Sequence, residues 1–490
     1  MSSKTKVPIV AIVGRANVGK SSIFNSVLRR REAIVANEPG TTRDSISAKA
    51  EWEEHEFWIV DTAGMKDPED DFEFTIQEQI QQAEESADII WVVIEADAAI
   101  TDDDRRVAKQ ALKTKKPVFL VVNKADKTPK AHASDYQRLG IKDIFLTSAT
   151  QNRGIPGMLD VLIERIPKTT IATDPDRITV ALLGRPNVGK SYLFNTLAKK
   201  QQAIVADVAG TTRDINRTTV KYKKKEIELL DTAGIRRSGK IEHGIEKFSV
   251  IRTLAAIEQS DVCFLLMDAG ELNTALDQKI AGMIKEAGKG LVLVVSKWDT
   301  LESVRGRAEE AEERKKTKQE EALKQKSLTK KEKKKLSKSI AYDKHGAINK
   351  DAFTRDAIAP QIQANFLFVP WASLIFTSSV TGQNVTKLFD LAQSIVDSRH
   401  TLIKTPLLNR WLHDVTDQHP PAGLKNKTPK LNYIIQEADS PTNFQVYGRD
   451  TKFLHWSYKR FMERKLREKY GFEGTPVKFW FFDSRDNTKN

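Results

Sequence analysis

A chain of 490 residues, 30% of them charged, is long enough for about three domains. Its formal net charge is +13, and its apolar runs are too short to cross a bilayer, so a membrane-spanning role is not expected. A single cysteine excludes an intrachain disulfide framework, and no charged-then-apolar leader precedes the first apolar run; a reducing, cytoplasmic setting is expected.

The first apolar run, Val7–Val13, leads into Gly14-Arg15-Ala16-Asn17-Val18-Gly19-Lys20-Ser21. This is the pattern G-x-x-x-x-G-K-[ST]. Its glycines let backbone N–H groups close around a polyphosphate, its lysine reaches the β/γ-phosphates, and its hydroxyl ligates Mg²⁺. Ile23, Phe24, Val27 and Leu28 follow at helical spacing, so the loop opens a helix whose dipole favours a bound anion. Gly40-Thr41-Thr42-Arg43-Asp44 comes next, then Asp61-Thr62-Ala63-Gly64 at the end of the apolar stretch Phe57–Val60. Ile89–Ile94 reads as a buried central strand. Val118–Val122 runs into Asn123-Lys124-Ala125-Asp126, and Thr147-Ser148-Ala149 closes the set.

The whole order then recurs. Gly184-Arg185-Pro186-Asn187-Val188-Gly189-Lys190-Ser191, Gly210-Thr211-Thr212-Arg213-Asp214 and Asp231-Thr232-Ala233-Gly234 each lie 170 residues after their counterparts. Ser296-Lys297-Trp298-Asp299 follows Leu291–Val295, and Thr377-Ser378-Ser379 ends the second set. Strands alternating with helical patterns predict an α/β fold, two units with mostly parallel sheets covered on both faces. Cys263 falls in one such strand, Cys263–Met267, and reads as a small buried hydrophobe.

Each set predicts one nucleotide site. Gly14, Asn17, Val18, Gly19, Lys20, Ser21 and Ser22 would wrap the phosphates in the first, and Gly184, Asn187, Val188, Gly189, Lys190, Ser191 and Tyr192 in the second. Ser21 with Asp61, and Ser191 with Asp231, are the expected Mg²⁺ ligands. Thr42 and Thr212 would join them in the triphosphate state, with Thr41 and Thr211 as alternatives. The Gly64 and Gly234 amides can meet a γ-phosphate; with Lys20, Lys190, Thr42 and Thr212 they form the expected catalytic set. A carboxylate at Asp126 or Asp299 can accept two parallel hydrogen bonds from guanine and would repel the N1 acceptor of adenine. GTP and GDP are therefore the expected ligands, held also by Asn123, Lys124, Ser148 and Ala149 in one site and by Ser296, Lys297, Ser378 and Ser379 in the other. Many small GTPases place a water-orienting glutamine just after Asp-x-x-Gly. Here Met65 and Ile235 stand there, so slow intrinsic hydrolysis is expected. Arg43 and Arg213 read as residues that hold loop geometry rather than as arginine fingers.

The charge is unevenly spread. Residues 305–338 carry net +7 and residues 400–490 net +6, which accounts for the whole excess. Such concentration favours a polyanionic partner, either nucleic acid or an anionic membrane surface. The tail reads as a small α+β domain: a helix bearing Leu407, Leu408, Trp411, Leu412 and Val415, strands at Leu431–Glu437 and Phe444–Tyr447, a helix Leu454–Tyr470, and a strand Val477–Phe482. Lys459, Arg460, Arg464, Lys465, Arg467 and Lys469 crowd the second helix and suit RNA contact. Gly471-Phe472-Glu473-Gly474 is formally G-x-x-G, the KH backbone clamp. It lies between a helix and a strand, and reads as a helix stop and turn.

These features resemble the Der/EngA GTPases of bacterial ribosome assembly. The tail supports the resemblance with His419-Pro420-Pro421, Ser457-Tyr458-Lys459-Arg460 and Gly471-Phe472-Glu473-Gly474-Thr475-Pro476. It implies two tandem P-loop GTPase domains and a KH-like third domain, with GTP hydrolysis coupled to maturation of the large ribosomal subunit. It also implies K⁺ stimulation, with Asn17 and Asn187 as partial K⁺ ligands. The expected boundaries are 1–167 for the first GTPase domain, 168–176 for a linker, 177–398 for the second GTPase domain and 399–490 for the KH-like domain. The family pattern has asparagine where this chain has Ser296, so weaker binding at the second site is expected.

A charged, Lys-rich insert at about 302–358 departs from the family pattern and cannot bury a core. It reads as a tolerated charged excursion, as an RNA-binding extension or as a protein contact. The expected partners are the large ribosomal subunit and its rRNA, reached by the tail with the insert as a second candidate surface, with no membrane and a monomeric chain. An alternative reading is a GTPase acting on tRNA or another RNA through the basic tail. A membrane-trafficking GTPase would want an amphipathic apolar helix or a coiled-coil stalk, and neither is evident.

Overall fold

The computed structural model describes residues 3–5, 7–28, 47–62, 80–166, 170–172, 177–200, 216–231, 250–300, 355–424, 427–438 and 442–483, apart from a few single positions within these ranges. The segments Gly40–Asp44 and Gly210–Asp214, the glycines Gly64 and Gly234, Met65, Ile235, and the insert up to residue 354 lie outside the described residues.

Two six-stranded sheets repeat one topology. The first takes strands β2 (Ile9–Val13), β3 (Ser47–Trp52), β4 (His55–Asp61), β5 (Ile89–Glu95), β6 (Val118–Asn123) and β7 (Asp143–Leu146) in the order β3-β4-β2-β5-β6-β7. The second takes β9 (Arg177–Gly184), β10 (Asn216–Tyr222), β11 (Lys225–Asp231), β12 (Val262–Asp268), β13 (Gly290–Ser296) and β14 (Ser373–Phe376) in the order β10-β11-β9-β12-β13-β14. Only the edge hairpins, β3 with β4 and β10 with β11, pair antiparallel; the other ladders in both sheets are parallel. The central strands read Ile-Ile-Trp-Val-Val-Ile-Glu and Gly-Leu-Val-Leu-Val-Val-Ser, and helices cover both of their faces, so alternation is lost and apolar runs replace it.

Short caps fix the helices that follow. Helix α2 (Asp102–Lys113) begins with a capping box, in which Thr101 Oγ1 accepts from the Asp104 amide and Asp104 accepts from the Thr101 amide. Thr274 and Asp277 repeat the side-chain cap at helix α6 (Ala275–Glu286). Cys263 is fully buried, and burial pushes its thiol up to about 12, so the inert reading holds.

The two GTPase units are not beads on a string. Residues of both sheets share one continuous core, in which Trp58, Val60 and Ile90 belong with Leu254, Cys263 and Leu265. Within it the buried Trp58 donates Nε1–H to Glu258 Oε1 at 2.7 Å. A two-stranded antiparallel pair of β1 (Ser3–Thr5) and β8 (Thr170–Ala172) ties the start of the chain to the segment between the units.

The C-terminal unit has a three-stranded sheet ordered β15-β16-β17, from Lys430–Gln436, Asn443–Arg449 and Lys478–Asp483. Helices α9 (Thr405–Gln418) and α10 (Trp456–Tyr470) cover one face through Leu408, Trp411, Leu412, Met462 and Leu466, against Ile434, Phe444 and Val446. The unit is joined to the second sheet by backbone. Leu291 N–H donates to Gly474 O at 2.8 Å, and Gly474 N–H donates to Trp371 O at 2.8 Å. The half-buried Arg399 adds bonds to Gly288 O at 2.8 Å and Thr475 Oγ1 at 3.0 Å.

Candidate nucleotide sites

Both phosphate loops sit where a parallel strand runs into a helix. In the first, β2 ends at Val13 and helix α1 (Lys20–Leu28) starts at Lys20. In the second, β9 ends at Gly184 and helix α4 (Lys190–Lys200) starts at Lys190. The turn between needs a left-handed residue, supplied by Asn17 at φ 65° and Asn187 at φ 61°. Asparagine tolerates that region better than most side chains. Lys20 Nζ lies inside its loop, 2.7 Å from Gly14 O and 2.5 Å from Arg15 O; Lys190 Nζ repeats this at 3.1 and 2.7 Å from Gly184 O and Arg185 O. Ser21 Oγ donates to Asp61 Oδ2 at 2.5 Å, which brings a hydroxyl and a carboxylate from two elements to one point. That oxygen-only pair fits Mg²⁺, a cation commonly held by one or two carboxylates plus substrate phosphates. Asp231 is equally buried at the matching strand end.

The second residue of each loop is clamped, which the sequence reading missed. Arg15 reaches Glu95 at 3.3 Å and Asp104 at 3.2 Å; Arg185 reaches Glu271 at 2.8 Å and Asp277 at 3.4 Å. Burial pushes the Asp277 carboxyl up, against Thr274 and Arg185, which pull it down. A signal was present: Thr101-x-x-Asp104 and Thr274-x-x-Asp277 stand 173 residues apart, the same offset as Asn123 and Ser296.

The base loops differ. In the first site Asn123 joins three loops: its Nδ2 donates to Val18 O at 3.1 Å, and its Oδ1 accepts from the Ala149 amide at 3.2 Å. Lys124 Nζ adds bonds to Glu95 at 2.5 Å and Asn17 O at 3.1 Å. In the second site Ser296 Oγ lies 2.7 Å from Val188 O and 3.0 Å from Met267 O, so its one hydrogen is shared between two carbonyls. The tie to the phosphate loop survives and the arm toward Ser379 is gone. A Cβ on Gly19 would fall within the radius of Asn123 Nδ2, whereas one on Gly189 would meet nothing within 4 Å. The shorter side chain has left space between the two loops. Lys297 pairs with Asp268 at 2.7 Å. Burial would raise the Asp268 carboxyl, but Lys297 and the Gly270 amide hold it below the ordinary carboxylate range. Asp299 Oδ1 is buried with no hydrogen-bond partner among the described residues, and an oriented ligand donor such as a guanine N–H would satisfy it.

Ser296→Asn is therefore expected to tighten guanine-nucleotide binding at the second site by about two- to tenfold, the worth of one restored hydrogen bond. Titration with a fluorescent GDP analogue checks it, and unchanged or weaker binding would show that the space is not a deficit.

One cation of the tail's basic run is drawn into the protein, while its neighbours make surface ion pairs. Arg467 is mostly buried, donates to Glu463 at 2.7 Å and to Phe472 O, and lies over the Trp371 ring. Lys465 and Arg464 pair with Glu468, and Lys469 with Asp414. Arg467 thus corrects the expectation that all six cations face RNA: it fastens helix α10 to the second GTPase unit. Gly471 ends that helix at φ 84°, and Gly474 is the joint to β13, so this G-x-x-G is not a free backbone clamp.

A family model described as a 50S ribosome-binding GTPase matches residues 9–124 and again 179–297. A second, described as the KH-domain-like C-terminal part of EngA bacterial GTPase enzymes, matches residues 403–481. The chain is 40% identical over 480 residues to a protein named GTPase Der from Chloroflexus aggregans, covering 96% of each. It is 37% identical over 486 residues to GTPase Der from Thermomicrobium roseum, covering 97% of this chain and 96% of that one. Among solved structures, an Era variant from Aquifex aeolicus bound to GDP and AlF4⁻ overlaps 63% of this chain and 93% of its own, at 18% identity and a TM-score of 0.27, too slight a likeness to bear on function.

Proposed function

We propose, for a chain that belongs to the Der/EngA family of GTPases, that it hydrolyses GTP at two sites to control docking of its C-terminal unit on rRNA during maturation of the large ribosomal subunit. GTP hydrolysis follows from the family; the ribosomal role and its control are this reading's own. The observation that carries it is the joint at Gly474. Two backbone hydrogen bonds seat the KH-like unit on the second GTPase unit, so a change there moves a unit that carries net +6 of the chain's +13. No helix among the described residues is long and apolar enough to cross a membrane.

The chemistry asked of the protein is positioning and charge stabilisation rather than covalent catalysis. Loop amides and Lys20 or Lys190 cradle the β/γ-phosphates, and Gly64 or Gly234 meets the γ-phosphate. Ser21 with Asp61, and Ser191 with Asp231, would hold Mg²⁺, which offsets phosphate charge. Thr42 and Thr212 complete the set in the triphosphate state. With Met65 and Ile235 in the water-orienting positions, intrinsic turnover is slow. Asn17 and Asn187 lie on the exposed rim of each loop and fit a weak oxygen-ligated cation there. A monovalent ion at that rim would supply the charge that an arginine finger supplies elsewhere.

Exchange of K⁺ for Na⁺ at equal ionic strength is expected to lower the turnover of GTP by roughly tenfold or more, the scale of a lost transition-state contact. Phosphate release assays measure it, and equal rates in the two salts would remove K⁺ from the mechanism. The docking reading is tested by co-sedimentation with ribosomal subunits in GTP-analogue, GDP and nucleotide-free states. Association is expected with the large subunit and in a nucleotide-dependent way; no association in any state would overturn it.

A further inference from the structure

The G-x-x-G turn and Arg467 of the tail are spent on the joint with the second GTPase unit, which leaves RNA contact to other residues. The sheet itself offers a surface. Helices α9 and α10 cover one face, where Phe444 and Val446 are buried and Phe479 and Phe481 pack against them. On the other face the register sets Tyr433 beside Tyr447, and Tyr447 beside Phe482. These rings form one row across all three strands. Tyr447 and Phe482 stack with centroids 5.3 Å apart at 24°, and Tyr433 follows at 6.4 Å. Tyr433 is 45% exposed and Phe482 41%, so the row opens to solvent.

The neighbouring rows say what would cover it. On one side the register pairs Lys430 with Arg449, both exposed; on the other it sets Gln445 between Ile435 and Trp480. Asp450 is the acid nearest Arg449, at 3.9 Å, and it leaves that guanidinium half exposed. A protein-binding hot spot would bring a buried apolar centre with a polar rim. Here the rings lie in a single line beside a cationic line, the arrangement that lets bases stack while phosphates meet charge.

We infer that Tyr433, Tyr447 and Phe482 form a stacking platform for two or three unpaired bases of RNA, with Lys430 and Arg449 meeting the phosphates. This rests on the reading of the tail as an RNA-docking unit and names the surface that does it. The platform reads ring faces rather than base edges, so it takes single-stranded RNA with little sequence preference.

The test uses the full chain and a fluorescein-labelled oligouridylate of roughly a dozen nucleotides, the span of one single-strand site, followed by anisotropy at low salt. Tyr433→Ala and Phe482→Leu are each expected to weaken binding about tenfold, and Phe482→Tyr to retain it. Lys430→Gln with Arg449→Gln is expected to weaken binding and flatten its salt dependence. The platform is overturned if the wild type does not bind the oligonucleotide, if Phe482→Leu binds as the wild type does, or if Phe482→Tyr loses as much as Phe482→Leu. Co-sedimentation of the wild type with ribosomal subunits is scored apart. Its success beside an indifferent Phe482→Leu removes the platform alone; its failure removes the docking reading, whatever the oligonucleotide shows.

Discussion

Asp126→Asn is expected to turn the first site from a guanine site into a xanthine site. The carboxylate offers two acceptors to two guanine donors, N1–H and the exocyclic amine. Asparagine keeps one acceptor and sets a donor against the amine. Xanthine carries a carbonyl oxygen where guanine carries that amine, so the pairing is restored. A site built around such hydrogen bonds rejects the wrong partner by about 10⁴-fold, because both sides are left with desolvated, unpaired groups. The same change at Asp299 is expected to act at the second site with at least equal force. Asp299 Oδ1 is buried with no partner among the described residues, so a donor on the ligand would satisfy it. Competition between GTP and XTP for each variant, read by displacement of a fluorescent GDP analogue, decides the matter. A variant that still prefers GTP would place another residue at the base edge. The pair of variants also gives a tool, since in Asp299→Asn the guanine nucleotide reports on the first site alone, and in Asp126→Asn on the second.

The parts of this molecule that were legible in the sequence are those whose chemistry demands one residue type. Gly19, Lys20, Ser21, Asp61 and Asp126 could be nominated because few other side chains suit the roles expected of them, and the structure brings the described members of each set to the ends of parallel strands. The surroundings were harder to read. The Arg15 clamp on Glu95 and Asp104 uses ordinary surface residue types, and only their placement makes them a clamp. The contact between Trp58 and Glu258 joins residues 200 positions apart, beyond any periodicity. Arg467 looked like its basic neighbours because a helix period does not say which cation a neighbouring unit will cover. The open face of the tail was hidden for a different reason. Strand β17, Lys-Phe-Trp-Phe-Phe-Asp, is aromatic on both faces, and a register shift between Leu431 and Tyr433 breaks the alternation of β15. A period-two pattern needs contrast between faces, and here there is little. The switch residues Thr42, Thr212, Gly64 and Gly234 lie outside the described residues, so their roles stand on the motif and the family.

The deepest asymmetry between the two sites predicts an unequal response to one substitution made twice. Gly19 and Gly189 both sit at strongly positive φ, 92° and 98°, where any side chain strains the backbone. That cost is common to both, about 1–3 kcal/mol. The steric cost is not. An alanine methyl at 19 would collide with Asn123 Nδ2 and push apart the bonds that Asn123 makes to Val18 O and the Ala149 amide. A methyl at 189 enters the space that Ser296 leaves open. Gly19→Ala, read in the Asp299→Asn background, is therefore expected to weaken GDP binding by about a thousandfold or more, the sum of strain and two disrupted hydrogen bonds. Gly189→Ala, read in the Asp126→Asn background, is expected to lose only about ten- to a hundredfold. The explanation has a sharper consequence in a double-mutant cycle. Ser296→Asn alone strengthens the second site, but it fills the space that made Gly189→Ala tolerable. Combined, the two should be worse than either by far more than their separate effects predict, a coupling of at least about 1 kcal/mol between residues that touch. Additive behaviour would mean that the open space between the loops has no part in how the second site holds its nucleotide.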